Sequence, residues 1–297
     1  MQHPEYEVHA VRFCRPEFDC PGLIWHQGDL RDPQTVDQTI NGMDIVIQAA
    51  ATTSGSRDIV NQPFIHVTDN AVMNSLLLRA AYNYRVKHFI FFSCSTMYQS
   101  SIYALKESDF NPADEIHPSY FGVGWTKVYV EKMCEFFANL GLSRHTVIRH
   151  SNIYGPHDKF DLERSHVFGA TVTKAMTATD RIVIWGTGKE RRDLLYIDDL
   201  IYFVDQSIKH QENLYEVFNC GSGQSLSVEE LVHKIVVASG RDLKVEHDLT
   251  MPSIDISLSL DCNKAKNELG WKPKIELDEG IERTLKWYRE TRKNTFG

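Results

Sequence analysis

Lys127 lies in the run Tyr120-Phe121-Gly122-Val123-Gly124-Trp125-Thr126-Lys127-Val128-Tyr129-Val130-Glu131-Lys132, whose spacing predicts the opening of a helix. Residues four apart share a helical face, so position 123 stands beside the lysine. That residue is Val123, which has no proton to give. Upstream, Ser93, Cys94, Ser95 and Thr96 crowd one turn with three hydroxyls and a thiol, and the thiol is the poorest donor of the set. Further along, His166 offers an imidazole that titrates near neutrality, and Arg192 a guanidinium fork that suits phosphate. The plain readings stand beside these: His166 as a surface-loop histidine, and Arg191 with Arg192 as a solvated pair. The six cysteines are scattered without Cys-x-x-Cys or metal-ligand spacing, and the thirteen histidines are dispersed. We expect reduced, mostly buried thiols and no metal site.

The elements that must position these groups follow from periodicity. Glu7 to Phe13 and Leu23 to Trp25 read as strands, and the second ends in the turn Gln27-Gly28-Asp29-Leu30-Arg31-Asp32. A helix from Pro33 to Asn41 starts beside Asp32 as its cap. Asp44 to Ala51 and Lys87 to Ser93 are short apolar runs suited to strands buried on both faces of a parallel sheet. Between them a helix is expected over about residues 70–84, and after the Lys127 helix a strand at Thr146 to Arg149. This alternation predicts a doubly wound, Rossmann-like α/β sheet that binds ligands at the carboxyl ends of its strands. We place this domain at residues 1–155. Residues 156–297 read as a smaller, irregular α/β substrate-binding region whose chain crosses back to the sheet. Within it Arg181 to Trp185 predicts a strand, Ser227 to Ser239 a helix opened by Ser227 and Glu230 in capping-box spacing, and residues 264–269 and 278–291 two more helices.

With 297 residues, 24% charged and 42% hydrophobic, the chain has the composition of a globular protein. Its formal charge of −8 argues against a nucleic-acid partner, whereas a single nucleotide needs only a local basic patch. No run of about 18 apolar residues suggests a membrane span. The Met-Gln-His-Pro start is unlike a signal peptide, so a cytoplasmic location is expected.

Taken together, these features resemble the extended short-chain dehydrogenase/reductase family, and within it the NAD-dependent epimerase/dehydratase group that acts on nucleotide sugars. The resemblance implies a cofactor-binding role for several positions. Asp29 and Leu30 would lie at the adenine, the small residues Ala49, Ala50 and Ala51 would let phosphate and ribose approach the backbone, and Asn70 would start the next helix. Lys127 would orient the nicotinamide ribose, and in the family it lowers the pKa of a tyrosine proton donor four residues earlier. The runs Asn152-Ile153-Tyr154-Gly155-Pro156, Ser165-His166-Val167, Trp185-Gly186-Thr187-Gly188, Arg191 to Asp199 and Asn219-Cys220-Gly221-Ser222-Gly223 are similar to GDP-fucose synthases. That similarity implies an NADP-dependent epimerase/reductase acting on a nucleoside-diphosphate sugar, with His166 as the epimerisation acid and Asn152 and Arg192 on the substrate. It also implies a homodimer through the helices beside the site, where Val128, Val130, Met133 and Phe137 suit either a partner or the sheet. The first strand ends Arg12-Phe13-Cys14-Arg15 with no acid before Glu17, which favours NADP over NAD, with Arg12 near the extra phosphate.

The chain also departs from the family's pattern. It begins at what resembles the family's second strand, about 30 residues short of the usual strand, glycine turn and helix. We expect either a fragment or a fold without its main pyrophosphate cradle, with an open apolar sheet edge. Val123 replaces the tyrosine, so general acid catalysis worth ~10²- to 10⁴-fold is lost unless Tyr120 or Tyr98 supplies it. Cys94 stands where relatives carry a serine or threonine on the substrate carbonyl, and Thr96 where GDP-fucose synthases carry a second epimerisation residue. Alternatives therefore stay open: a non-catalytic homologue that binds a nucleotide sugar or a partner, and a 4-epimerase or 4,6-dehydratase.

Overall fold

The computed structural model describes residues 4–52, 63–162, 165–251 and 253–293. The chain is α/β. Strands β1 (Val8–Arg12) and β2 (Leu23–Gln27) pair in parallel. Helix α1 (Pro33–Ile40) follows, and Asp32 caps it by accepting from Gln34 and Thr35 amides. Strand β3 (Ile45–Gln48), helix α2 (Pro63–Asn83), strand β4 (His88–Phe92), helix α3 (Phe121–Asn139) and strand β5 (Arg144–His150) then alternate. A four-stranded parallel sheet runs in the order β3-β4-β5-β9, where β9 is Tyr215–Cys220. The chain thus returns to the sheet well after residue 155.

Alternation within β4 shows why these runs are apolar throughout. Phe89 and Phe91 enter a core with Val36 of α1, Leu77 and Leu78 of α2 and Val130 of α3, whereas Ile90 enters a second core with Ile148, Phe203, Phe218 and Trp271. Both faces are covered, as a parallel sheet requires. Val128 and Val130 are buried, and Met133 and Phe137 pack on the first core. The apolar residues that α3 leaves exposed are instead Phe121, Tyr129 and Phe136.

Residues 156–297 are more regular than their sequence suggests. Strand β6 (Asn152–Tyr154) lies parallel to β8 (Arg191–Tyr196), which pairs antiparallel with β10 (Ser225–Ser227). Strand β7 (Arg181–Trp185) lies parallel to β11 (Lys244–Asp248). Helices α4 (Val167–Thr177), α5 (Ile197–His210), α6 (Val228–Ser239), α7 (Asn263–Leu269) and α8 (Leu277–Lys293) complete the chain. Phe168, Ile182, Leu231, Ile235 and Leu285 close a third core around α4, β7, α6 and α8. The capping box forms as expected, with Ser227 accepting from the Glu230 amide and the Glu230 carboxylate accepting from the Ser227 amide.

Three expectations need correction. Helix α2 starts at Pro63 rather than about residue 70, so Asn70 sits inside it. The thiols are not mostly buried: Cys134 and Cys220 are, Cys14 is exposed, and Cys20, Cys94 and Cys262 are intermediate. Irregularity after residue 155 gives way to the strands and helices above. The expected open edge is present in part. Among the described residues β1 pairs only with β2 and β3 only with β4, and Val11, Ile24 and Ile47 are 37–47% exposed.

Candidate active site

The elements put Ala49 to Ala51, Ser93 to Thr96 and Asn152 just past the carboxyl ends of the parallel strands β3, β4 and β5, where an open α/β sheet binds ligands. Lys127 is the centre. It donates from Nζ to the carbonyl of Phe92 at the end of β4 (2.7 Å) and lies 4.7 Å from the centre of the Phe91 ring. Burial lowers its pKa, while the nearby Cys94 and Glu131 pull the other way. One of three ammonium donors is used, and no other protein partner is found among the described residues. Helix α3 reaches this depth because small residues face its neighbours. A Cβ on Gly124 would come within 3.0–3.1 Å of Ile116, and one on Gly122 within 2.8 Å of Val67.

Beneath the lysine, one turn further along α3, lies a buried ion pair. Glu131 accepts from Arg149 of β5 through Nε and Nη2 (2.7–3.2 Å) and from Ser93 Oγ (2.5 Å). Arg149 also donates to Tyr98 Oη (3.0 Å), and Tyr98 donates to Asn219 of β9 (2.8 Å). This network ties α3, β5, β9 and the Ser93–Tyr98 turn into one floor. Tyr98 is 2% exposed and burial pushes its pKa up to about 12, so it is a structural member of the floor and not a replacement proton donor. Above it Cys94 Sγ and Thr96 Oγ1 lie 2.9 Å apart, and Ser95 serves the turn through its carbonyl, which accepts from the Tyr98 amide.

A cavity of about 690 Å³ opens next to this floor. Asn152, His166, Arg192 and Tyr120 line it, together with Lys174 and Trp185, to which no sequence pattern assigns a role. Asn152 is held by its amide donating to the Asp193 carbonyl (3.1 Å). Arg192 donates to the carbonyls of Ile254 (2.8 Å) and Ile256, which fixes the segment closing the cavity, and its Nε–H has no protein partner among the described residues. His166 precedes α4 and is open to the cavity, yet the surrounding protein lowers its pKa, with Lys159 adding to the effect. The ring is therefore neutral at pH 7. His150 donates from Nδ1 to the Ser151 carbonyl (2.7 Å) and is held neutral, its pKa pushed down to about 4 chiefly by burial, with the Lys127 ammonium adding to the effect.

The residues expected at the dinucleotide divide into two groups. Ala49, Ala50 and Ala51 follow β3 and are exposed, and Gln48 fixes their turn by bonding both the amide and the carbonyl of Ala50 (3.1–3.2 Å). Asn70 clamps the end of that turn by bonding the Thr52 amide and carbonyl (2.9 and 3.0 Å). By contrast Asp29 is gripped by Arg31, which also reaches Asp69, and this pairing lowers the Asp29 pKa. Arg12 donates to Glu17 (3.0 Å), and Leu30 packs on the first core. Asp29 and Arg12 would have to exchange these partners to meet an adenine or a phosphate.

Comparison with known proteins agrees with this geometry. The chain is 26% identical over 257 residues to GDP-L-colitose synthase of Yersinia pseudotuberculosis, covering 84% of the chain and 83% of that protein. It is 28% identical over 269 residues to GDP-L-fucose synthase of Azorhizobium caulinodans, covering 88% and 85%. Its fold matches the crystal structure of UDP-glucose 4-epimerase from Thermotoga maritima with UDP-glucose, at a TM-score of 0.86 and 25% identity over 98% of this chain and 94% of that one. The profile of the NAD dependent epimerase/dehydratase family matches residues 1–221, more than half of the sequence, and with the sheet, the lysine and the cavity in place the chain belongs to that family.

Proposed function

We propose that the chain is an NADP-dependent epimerase/reductase of a nucleoside-diphosphate sugar, similar to GDP-fucose synthase. The observation that carries this reading is the cavity lined together by the imidazole of His166, the amide of Asn152 and the guanidinium of Arg192, with Lys127 outside its lining but acting, like His166, on the His150 ring. The unfilled donors of Lys127 and the exposed alanine turn fit the ribose end of a nicotinamide dinucleotide, which when bound supplies or accepts hydride. In this reading Lys127 hydrogen-bonds that ribose. His166, neutral at pH 7, takes a proton from a carbon next to the sugar's carbonyl, while Arg192 and Lys174 oppose the charge of the diphosphate. GDP is supported by the sequence relatives, and UDP by the ligand of the Thermotoga maritima structure. A second reading, a homologue that binds the sugar without turning it over, has Val123 in its favour.

The test is incubation with GDP-4-keto-6-deoxymannose and NADPH in deuterium oxide. The proposal expects NADPH oxidation and deuterium on the carbons beside the carbonyl. Deuterium without oxidation would reduce the activity to epimerisation. Binding with neither would establish the second reading.

A further inference from the structure

We propose that Tyr120 supplies the proton that position 123 cannot, acting on the sugar oxygen from the cavity side of the site. This rests on the reading above that the cavity takes a nucleotide sugar. Tyr120 closes a short 3₁₀ turn, Pro118–Tyr120, directly before α3. It lies seven residues before Lys127, so Tyr120, Val123 and Lys127 follow one side of the helix and its approach. Its ring rests on the Met97, Ile116 and Leu258 cluster, with the His117 ring 6.0 Å away. Its hydroxyl has no hydrogen-bond partner among the described residues, although the side chain lines the cavity with Asn152, His166 and Arg192.

The charges around the phenol fit the task. Burial raises its pKa, which keeps the proton in place at neutral pH, while Arg192 pulls it down and Cys94 pushes it up. Arg192, which lines the same cavity, is thus a cation that can steady a phenolate at Tyr120. Tyr98, the other phenol near this turn, is already committed to Asn219 and Arg149. In the reductive direction the Tyr120 O–H bond breaks and its proton goes to the sugar carbonyl oxygen. Hydride from a reduced nicotinamide dinucleotide goes to the carbon, so C=O becomes CH–OH. The phenolate left beside Arg192 recovers a proton from water.

The experiment compares the parent chain with Tyr120→Phe, Val123→Tyr and the double variant. Tyr120→Phe keeps the ring and is expected to lower kcat by ~10²- to 10⁴-fold, the range for losing a general acid, with KM within about threefold if the role is not one of uniform binding. The double variant should recover at least about tenfold of that loss. A readout free of turnover is the ring-carbon NMR signal of labelled tyrosine that vanishes in Tyr120→Phe. It should shift further with a nucleoside-diphosphate hexose than with the nucleoside diphosphate alone. An active parent whose Tyr120→Phe variant keeps its kcat overturns the proposal and leaves the enzyme reading intact, as does a tyrosine signal that ignores the hexose. A parent that binds no nucleotide sugar by calorimetry overturns both.

Discussion

At the scale of the residue, the protein around the site sets the protonation state of its imidazole. His166 has its pKa lowered below 6.5 by the protein around it, with Lys159 contributing, so it is neutral through the physiological range. A base in that state loses activity only as the pH falls through its lowered pKa. The kcat/KM profile, which reports groups of the free enzyme, should therefore be flat above 6.5 and fall below it, and His166→Gln should remove solvent-deuterium incorporation. A limb centred at or above 6.5 would contradict the assignment. Lys127 was singled out in the sequence by the family resemblance, and helical spacing then put Val123, which has no proton to give, on the same face. His150 and Lys174 were not legible, since their meaning depends on folding distances that no local pattern records. Arg149 gave a signal that could have been used: a guanidinium in the apolar strand Thr146-Val147-Ile148 has to find a buried partner, and Glu131 lies one turn beyond Lys127.

At the scale of the element, the Glu131–Arg149 pair holds α3 to β5, with side chains 4% and 7% exposed. Removing one partner leaves a buried charge without compensation. Arg149→Met should cost about 3–5 kcal/mol in urea unfolding, and Tyr98→Phe, which removes one neutral hydroxyl from the same network, about 1 kcal/mol. Equal costs would show that the ion pair is not what joins the elements. Strands β3 and β4 could be read from their apolar runs, β5 from the short Thr146-Val147-Ile148 stretch, and α6 from its capping box. Helix α4 could not, because Val-Phe-Gly-Ala-Thr-Val-Thr is rich in β-branched residues and glycine. Its helix is imposed by Phe168, Val172 and Ala175 packing into the third core. Strands β6 and β10 are three residues each, too short to carry a period.

At the scale of the whole molecule, both halves of the sequence converge on one sheet edge and one cavity, and the core that holds them contains titratable groups. His88 and His145 are each 1% exposed, both keep an Nδ1 unpartnered among the described residues, and burial pushes both pKa values down to about 4, with Arg144 and His145 assisting at His88. Depressed pKa values give stability that is complete above about 6.5 and is lost as the pH falls towards 4. A drop of that size corresponds to up to about 3 kcal/mol per ring. Unfolding free energy should decline between pH 7 and pH 4.5, and less steeply in His145→Phe; a variant that loses as much as the parent would contradict this. The central claim is that Lys127 faces a nicotinamide dinucleotide, and the most direct measurement is NADPH fluorescence titration of the parent chain and Lys127→Met, with thermal melts as a check on folding. The account predicts saturable binding by the parent and affinity at least about tenfold weaker in the variant, the value of one lost charge-assisted hydrogen bond. Absence of saturable binding, or equal affinity in two equally folded proteins, would contradict it.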